Sequence, residues 1–386
     1  MPRLRLPSFP AVIAGLLTVL VSYASSVVIV LQAARSLGFT GEQISSWMWA
    51  LGIGLGVTCI GLSFRYRLPV VTAWSTPGAA LLATHQGELS TNEAIGAFLL
   101  CALLTTALGF SGLLEKVLRR IPLSLAAGML AGVLLRFGMD VFTALDTALA
   151  LPATMLGSWL LARRLFPRHA VLICLVTGIA VAGSMGALSL HGVPLAPSRP
   201  VALMPQLSVS AVLGITLPLL LVTMASQNLP GIAAMQAAGY QPPVSRIIGW
   251  IGVVNMVLAP FGAFALNLAA ITAAICMSAD VDPDRSRRWP AAVVAGGLYL
   301  MAGLFGATVV ALIAAFPAPL VTCLAGIALF GTLASALATA MEDPCRREPA
   351  LICFLVTASG LSLGNIGSAF WGLLAGLLAL ALLRTR

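Results

Sequence analysis

The sequence predicts an all-α polytopic membrane protein of fourteen segments, arranged as two seven-segment repeats of opposite orientation. Three observations predict it. Of 386 residues, 60% are apolar and 9% charged, where a soluble domain has roughly 45–50% and 25%. The apolar runs reach ~20 residues, the length a helix needs to cross a bilayer, against ~9–11 for a barrel strand. The two halves of the chain also match each other.

Shifted by 201 residues, Ser22-Tyr23-Ala24-Ser25 lies over Thr223-Met224-Ala225-Ser226, Gly38-Phe39 over Gly239-Tyr240, and Trp49 over Trp250. At a shift of 191, Pro69 meets Pro260 and Thr76 meets Asn267. At 195, Phe110 meets Phe305, Pro122 meets Pro317 and Leu125 meets Leu320. One such pair is chance. Three blocks in the same order indicate a repeat with halves of 1–205 and 206–386, an arrangement common among transporters.

The first half offers spans at 11–34, 43–63, a Pro/Gly-interrupted 68–84, 92–114, 121–137, 141–162 and 169–188. The second offers 209–238, 244–259, 261–279, 290–312, 318–340, 350–363 and 367–383. Met1–Pro10, with Arg3 and Arg5 ahead of an apolar run, imitates a secretory signal. The run continues past Leu31 and has a partner in the second half, so it is read as the first span. An odd number of spans per half forces the second half to enter the membrane inverted.

The charges agree. With the N-terminus inside, the cytoplasmic side receives Arg3, Arg5, Arg65, Arg67, Lys116, Arg119, Arg120, Arg163, Arg164 and Arg168 from the first half. The second half adds Arg246, Arg285, Arg287, Arg288, Arg346, Arg347, Arg384 and Arg386, while the outside receives only Arg35, Arg136 and Arg199. Eighteen against three obeys the positive-inside rule. It also accounts for the net charge of +9 without nucleic acid.

Six of the seven cysteines fall in apolar runs and Cys345 in a polar loop, so no disulfide framework or metal spacing is present. His85, His169 and His191 lie in loops or at span ends, and the acids flank spans, with only Asp140 and Asp146 near a span interior. A path for a metal or organic cation carries buried carboxylates. Their absence points to a neutral or anionic cargo and excludes intramembrane catalysis.

The third and tenth spans are discontinuous. Pro69-Val70-Val71-Thr72 favours an extended strand, and Ser75 or Thr76 before Pro77 signals a helix start. A helix from Pro77 has about two turns before His85. The tenth span repeats the plan from Pro260, with Asn267 as cap and a half-helix through Ile271 to Ser278. In inverted halves the two half-helices aim their N-termini at each other across the midplane. Their unpaired N–H groups and partial positive charges make an anion site without Arg or Lys. Pro77 has no N–H, so Gly78 and Ala79 are the expected donors on the first side.

The eighth span carries Ser226-Gln227-Asn228, costly in a bilayer unless they line water or a ligand. Pro230 frees the carbonyl of Ser226. Ser22, Ser25 and Ser26 hold the repeat-related positions in the first span, with Tyr23 and Gln32 nearby. Ser22, Ser25 and Thr223 also suit close helix packing. Trp74 and Phe264 flank the expected caps, placed to hold a flat ring or simply to pack.

At these residues the chain resembles the benzoate/proton symporter family. The resemblance lies in Thr72-Ala73-Trp74-Ser75-Thr76-Pro77-Gly78-Ala79-Ala80, Val222-Thr223-Met224-Ala225-Ser226-Gln227-Asn228 with Pro230-Gly231-Ile232, Ala269-Ala270-Ile271-Thr272-Ala273-Ala274-Ile275-Cys276, and Phe354-Leu355-Val356-Thr357-Ala358-Ser359-Gly360. It implies a bacterial inner-membrane carrier with the fold of uracil permeases. A core domain (about 11–118 and 209–313) would face a gate domain (about 119–190 and 314–386). Uracil permeases grip the base with acids on the eighth and tenth spans, where this chain has Ser226 and Leu266-Asn267. Losing both acids disfavours a nucleobase and suits a carboxylate. Proton coupling is implied by the resemblance alone.

The expectation is therefore a secondary transporter of a small aromatic carboxylate, benzoate or an analogue, driven by protons. Its substrate site would draw on Tyr23, Ser25, Trp74, Ser75, Thr76, Gly78, Ala79, Ser226, Gln227, Asn228, Phe264, Leu266, Asn267 and Leu268, with no cofactor or metal. The alternative is a passive anion channel or exchanger, or a carrier of another organic anion or a nucleobase, on the same fold. Expected partners are the substrate, protons and the bilayer; whether a second copy docks is left open.

Overall fold

The structure, a computed structural model, describes residues 7–85, 89–112, 122–167, 169–188 and 193–383. Arg3, Arg5, Glu88, Glu115, Lys116, Arg119, Arg120, Arg168, His191, Arg384 and Arg386 lie outside the described residues.

Helix α1 (Phe9–Ser36) starts on Pro10, where a missing N–H costs nothing. Thr40 opens α2 (Gly41–Tyr66), its N–H donating to Gln43 Oε1 at 2.9 Å. Strand β1 (Thr72–Trp74) leads directly into α3 (Thr76–Ala83). A capping box opens α4 (Thr91–Phe110): Ser90 Oγ accepts from Glu93 N–H at 3.2 Å and Glu93 Oε2 from Ser90 N–H at 2.9 Å. Then come α5 (Leu123–Thr147), α6 (Ala150–Leu165) and α7 (Ala170–Ser184). An extended connector returns across the helix ends, held by Val201 N–H to Ser46 Oγ (2.9 Å), Ser198 N–H to Leu304 O (2.7 Å) and Gln206 N–H to Asn92 O (2.9 Å).

The second half follows with α8 (Val209–Ala237), α9 (Val244–Leu258), β2 (Leu266–Leu268) and α10 (Ile271–Cys276). It ends with α11 (Trp289–Leu304), α12 (Gly306–Ala314), α13 (Ala318–Ala340), α14 (Arg347–Ala358) and α15 (Ser368–Leu383). Among the described residues, α1, α2, α4, α5, α8, α9 with its 3-10 extension, and α13 are each long and apolar enough to cross a bilayer alone.

The eleventh span is not the single rod expected over 290–312: α11 and α12 meet at a 70° bend. Phe305 ends α11 as its repeat mate Phe110 ends α4. The backbone of Gly303 is pressed on Gly52, where an added methyl would lie 2.9 Å from Gly52 Cα.

Glycine contacts hold the helices together, as expected where lipid removes the hydrophobic drive for association. Gly52 and Gly56 of α2 meet Gly303 and Leu300 of α11. Gly128 and Gly132 of α5 meet the Ala350 and Phe354 carbonyls of α14, and Gly372 and Gly376 of α15 meet Thr357 and Cys353. The α1–α4 elements thus pack among α8–α11, while α5 packs with α13 and α14, and α6 with α7.

Repeat-related positions share a local cause. Gly38 (φ +78°) and Gly239 (φ +83°) take the left-handed conformation just past α1 and α8. Each closes a Schellman turn: Phe39 N–H donates to Ala34 O at 3.1 Å, and Tyr240 N–H to Met235 O at 3.0 Å.

Candidate functional site

Strands β1 and β2 pair antiparallel, with Thr72 opposite Leu268, Ala73 opposite Asn267 and Trp74 opposite Leu266. Ser75 N–H to Ala265 O and Ala269 N–H to Val71 O, both 2.9 Å, extend the ladder. Each strand feeds a half-helix at its C-terminal end. Antiparallel pairing therefore sends α3 and α10 in opposite directions from a shared centre, with both N-termini beside the strands.

A two-stranded ladder at membrane depth leaves outer edges that water cannot satisfy. Neighbouring side chains do so instead. On α2, Ser63 Oγ both donates to Val70 O and accepts Val70 N–H at 3.0 Å, and Cys59 Sγ accepts Thr72 N–H at 3.2 Å. Thr58 and Thr72 share a 2.6 Å hydroxyl contact. On the β2 side, Asn228 Oδ1 accepts Leu268 N–H at 3.0 Å. Asn228 thus braces the strand, with Nδ2 turned to Met224 Sδ at 3.4 Å. It is fully buried and does not line the cavity described below, contrary to the ligand role expected for it.

Of the two cap candidates on the third span the structure selects Ser75, while the free donors expected there and the cap expected on the tenth span differ. Ser75 caps α3: its Oγ accepts Gly78 N–H at 3.0 Å and its carbonyl accepts Ala79 N–H at 2.7 Å. Gly78 and Ala79 are therefore spent as donors and buried, leaving Thr76, the first helical residue, with the N–H lacking an intrahelical acceptor. Asn267 caps nothing. It lies inside β2, and because pairing continues through Ala269, α10 begins only at Ile271, behind Ala270. With its amide set to satisfy its neighbours, Asn267 donates to Leu268 O at 3.0 Å and accepts Ser75 N–H at 2.9 Å. Leu266 and Leu268 are buried against Gly54 and Gly231.

Helix α8 widens into π-turns at Val212–Thr216 and Met224–Asn228, each ending two residues before a proline. Pro218 and Pro230 lack the N–H that would bond the carbonyl four residues back, and the extra residue per turn absorbs the mismatch. The second π-turn carries Ser226 and Gln227 toward the half-helices.

These elements enclose a cavity of about 480 Å³, within the roughly 300–1,000 Å³ of ligand sites. Ser25, Ser26, Trp74, Thr76, Ser226, Gln227, Pro230 and Ala270–Thr272 line one wall. Trp159, Arg163, Val171, Ile327, Thr332 and Ser335, from α6, α7 and α13, line the other. Trp74 is fixed by Nε1–H donating to Ser26 Oγ at 2.8 Å and by an edge contact of 5.0 Å with Tyr23. Tyr23 stands behind Trp74 and outside the lining. Phe264 points away, packed on Trp47 at 5.6 Å and Phe98 at 6.2 Å.

Of the expected residues, the structure brings Ser25, Trp74, Thr76, Ser226 and Gln227 to the cavity. Sequence reasoning assigned Arg163 to topology alone, yet among the described lining residues it is the one charged side chain, and they include no acid. Trp159 was missed as well. Its signal was its spacing, one helical turn before Arg163 on a shared face. Among the described residues, no group of His, Cys, Asp or Glu is placed to hold a metal.

Among the described lining residues the cavity thus joins the Trp159 ring, uncharged hydrogen-bonding groups and one cation, with the buried Trp74 at its border. It suits a small flat anion. A family model described as benzoate membrane transport protein (BenE) matches residues 7–382. The chain belongs to that family. It is 48% identical over 367 residues to the Escherichia coli protein described as inner membrane protein YdcO, covering 95% of this chain and 94% of that one. It is 39% identical over 372 residues to the benzoate membrane transport protein of Acinetobacter baylyi, covering 96% and 94%. Among solved structures, the transmembrane domain of the cyanobacterial bicarbonate transporter BicA matches with TM-score 0.55 at 13% identity, covering 96% of this chain and 97% of that one. SLC26A9 matches with TM-score 0.60 at 15% identity, covering 96% of this chain and 65% of that one. The fold is thus that of these transmembrane domains, and this chain is a multi-pass membrane transporter, not an enzyme.

Proposed function

We propose that the chain imports a small aromatic carboxylate, benzoate or a close analogue, together with protons across the bacterial inner membrane. The observation that carries this reading is the cavity whose described lining includes no acid, bordered by Trp74 and Trp159 and edged by Thr76, Ser226 and Gln227. The ring lies between the indoles. Its carboxylate meets the Gln227 amide, the Ser226 and Thr76 hydroxyls, and the first N–H groups of α3 and α10. Helices α1–α4 and α8–α12 form a core that carries the substrate, and α5–α7 with α13–α15 form the gate it moves against. Both termini are cytoplasmic, so Arg163 and Pro167 mark the cytoplasmic mouth.

Proteoliposome uptake tests this. Benzoate should enter and accumulate under an inward proton gradient, and benzamide, its neutral isostere, should not. Equal uptake of both overturns the anion site. Benzoate entry that never exceeds equilibrium under the gradient overturns symport and leaves a passive channel or exchanger.

A further inference from the structure

The wall contributed by the proposed core offers an anion no ionised side chain. We infer that Arg163, across the cavity on α6, is the specificity-determining charge of the site, selecting carboxylates over neutral aromatics while staying behind on the gate. This rests on the reading above of an anionic substrate.

Several described basic residues are already occupied, while Arg35, Arg136, Arg164, Arg199 and Arg246, like Arg163, have no side-chain partner among the described residues; what sets Arg163 apart is that it lines this cavity. Arg288 is consumed by the carbonyls of Met277, Asp282 and Pro283 at 2.6–3.2 Å. Arg287 and Arg346 pair with Asp284 and Asp343, Arg347 Nε–H donates to Met341 O, and Arg67 lies over the Phe64 and Trp289 rings. Among the described residues, Arg163 has no hydrogen bond, ion pair or ring contact, and its side chain opens on the cavity.

Two duller accounts leave its position unexplained. A basic residue in the last turn of α6 suits the helix dipole, and one at a cytoplasmic end suits topology. Arg164 meets both needs and is not among the lining residues. Arg163 sits one turn beyond Trp159, whose ring is held edge-on against Phe330 at 5.4 Å. A guanidinium presented beside an indole can meet a carboxylate with two parallel N–H donors while the ring lies on the apolar surface.

The test is equilibrium binding to purified full-length protein, followed by tryptophan fluorescence, for wild type, R163Q, R163K and R164Q at low and high salt, with benzoate and benzamide. For benzoate, R163Q should bind about tenfold more weakly and lose most of the salt dependence. R163K should keep the salt dependence and part of the affinity, and R164Q should match wild type. Benzamide binding should be the same in wild type and R163Q, which also reports an intact fold. Benzoate affinity and salt response unchanged in R163Q overturn the assignment and leave the transport reading standing. A wild-type protein that binds benzamide as well as benzoate overturns the anionic reading instead.

Discussion

Gln227 and Asn228 are adjacent polar residues on one π-turn, and the structure gives them opposite duties. Asn228→Ala removes the acceptor of the buried Leu268 N–H. No water reaches that depth to replace it, so the donor is left with its desolvation penalty of roughly 1–3 kcal/mol. The unfolded chain in lipid finds partners of its own and trims such penalties, so the lowest quarter of that range, about 1–1.5 kcal/mol, is the figure to expect. That corresponds to a roughly five- to tenfold shift of the folding equilibrium. Gln227→Ala truncates a cavity-facing amide that makes no hydrogen bond among the described residues, so its stability cost should stay within about 0.5 kcal/mol. The assay pairs reversible unfolding in detergent–lipid micelles with benzoate binding. Asn228→Ala should lose stability while the folded fraction binds normally, and Gln227→Ala should weaken binding at unchanged stability. The opposite pattern would refute the division between brace and ligand contact.

Four further outcomes follow from the geometry. Gly38→Ala meets no atom within 4 Å, so it should cost only the left-handed backbone penalty, about 1 kcal/mol, read as a modest drop in melting temperature; no drop would disprove the Schellman assignment. Gly303→Val forces a branched side chain against Gly52 Cα and should cost about 1–3 kcal/mol or more, visible as poor recovery of folded protein by size exclusion. Trp74→Phe keeps the ring but abandons Ser26 Oγ, costing about 0.5–1.5 kcal/mol with weakened substrate binding, both measurable on one sample by thermal shift with and without benzoate. Burial holds the His85 imidazole below its ordinary range, and its Nε2 has no partner among the described residues. The unfolded chain therefore takes up a proton first, and stability falls as pH drops through about 6.5. His85→Gln should flatten the melting temperature between pH 7.5 and 5.5; an unchanged slope would show that His85 is not its source.

Much of this architecture was legible because it rests on short-range rules. Apolar length marked the long helices, Ser75 before Pro77 marked the start of α3, and Gly38 and Gly239 matched in sequence because both close the same turn. The tenth span was misread for a traceable reason. Aligned at 191, Asn267 falls on Thr76; in the structure β1 maps onto β2 at a shift of 194, and α3 onto α10 at 195. The later block, Phe110 over Phe305, already carried that shift of 195. An asparagine looked like a cap because its alternative, bridging across a strand pair, depends on a partner almost two hundred residues away. The same blindness hid the bracing role of Asn228 and the turning of Phe264 toward Trp47. In both cases the choice between ligand and packing is made by tertiary neighbours that local pattern does not contain.

Arg163 was overlooked for the opposite reason, since a rule explained it too readily. The positive-inside rule accounts for every arginine at an end expected to be cytoplasmic and so distinguishes none of them. The distribution of charge across the cavity has a physical logic of its own. On the proposed reading, the core returns empty after each delivery. An ionised side chain on it would then cross low-dielectric surroundings unpaired, at a cost of several kcal/mol that slows every cycle. Hydroxyls, an amide and helix-end N–H groups bind an anion but carry no net charge home. Placing the cation on the gate lets it attract the carboxylate without ever being transported. It follows that moving the charge, by combining Arg163→Gln with Gln227→Arg, should preserve benzoate binding yet slow net uptake more than benzoate–benzoate exchange, because only net uptake requires the empty core to return. Equal slowing of both would show that the location of the charge is immaterial.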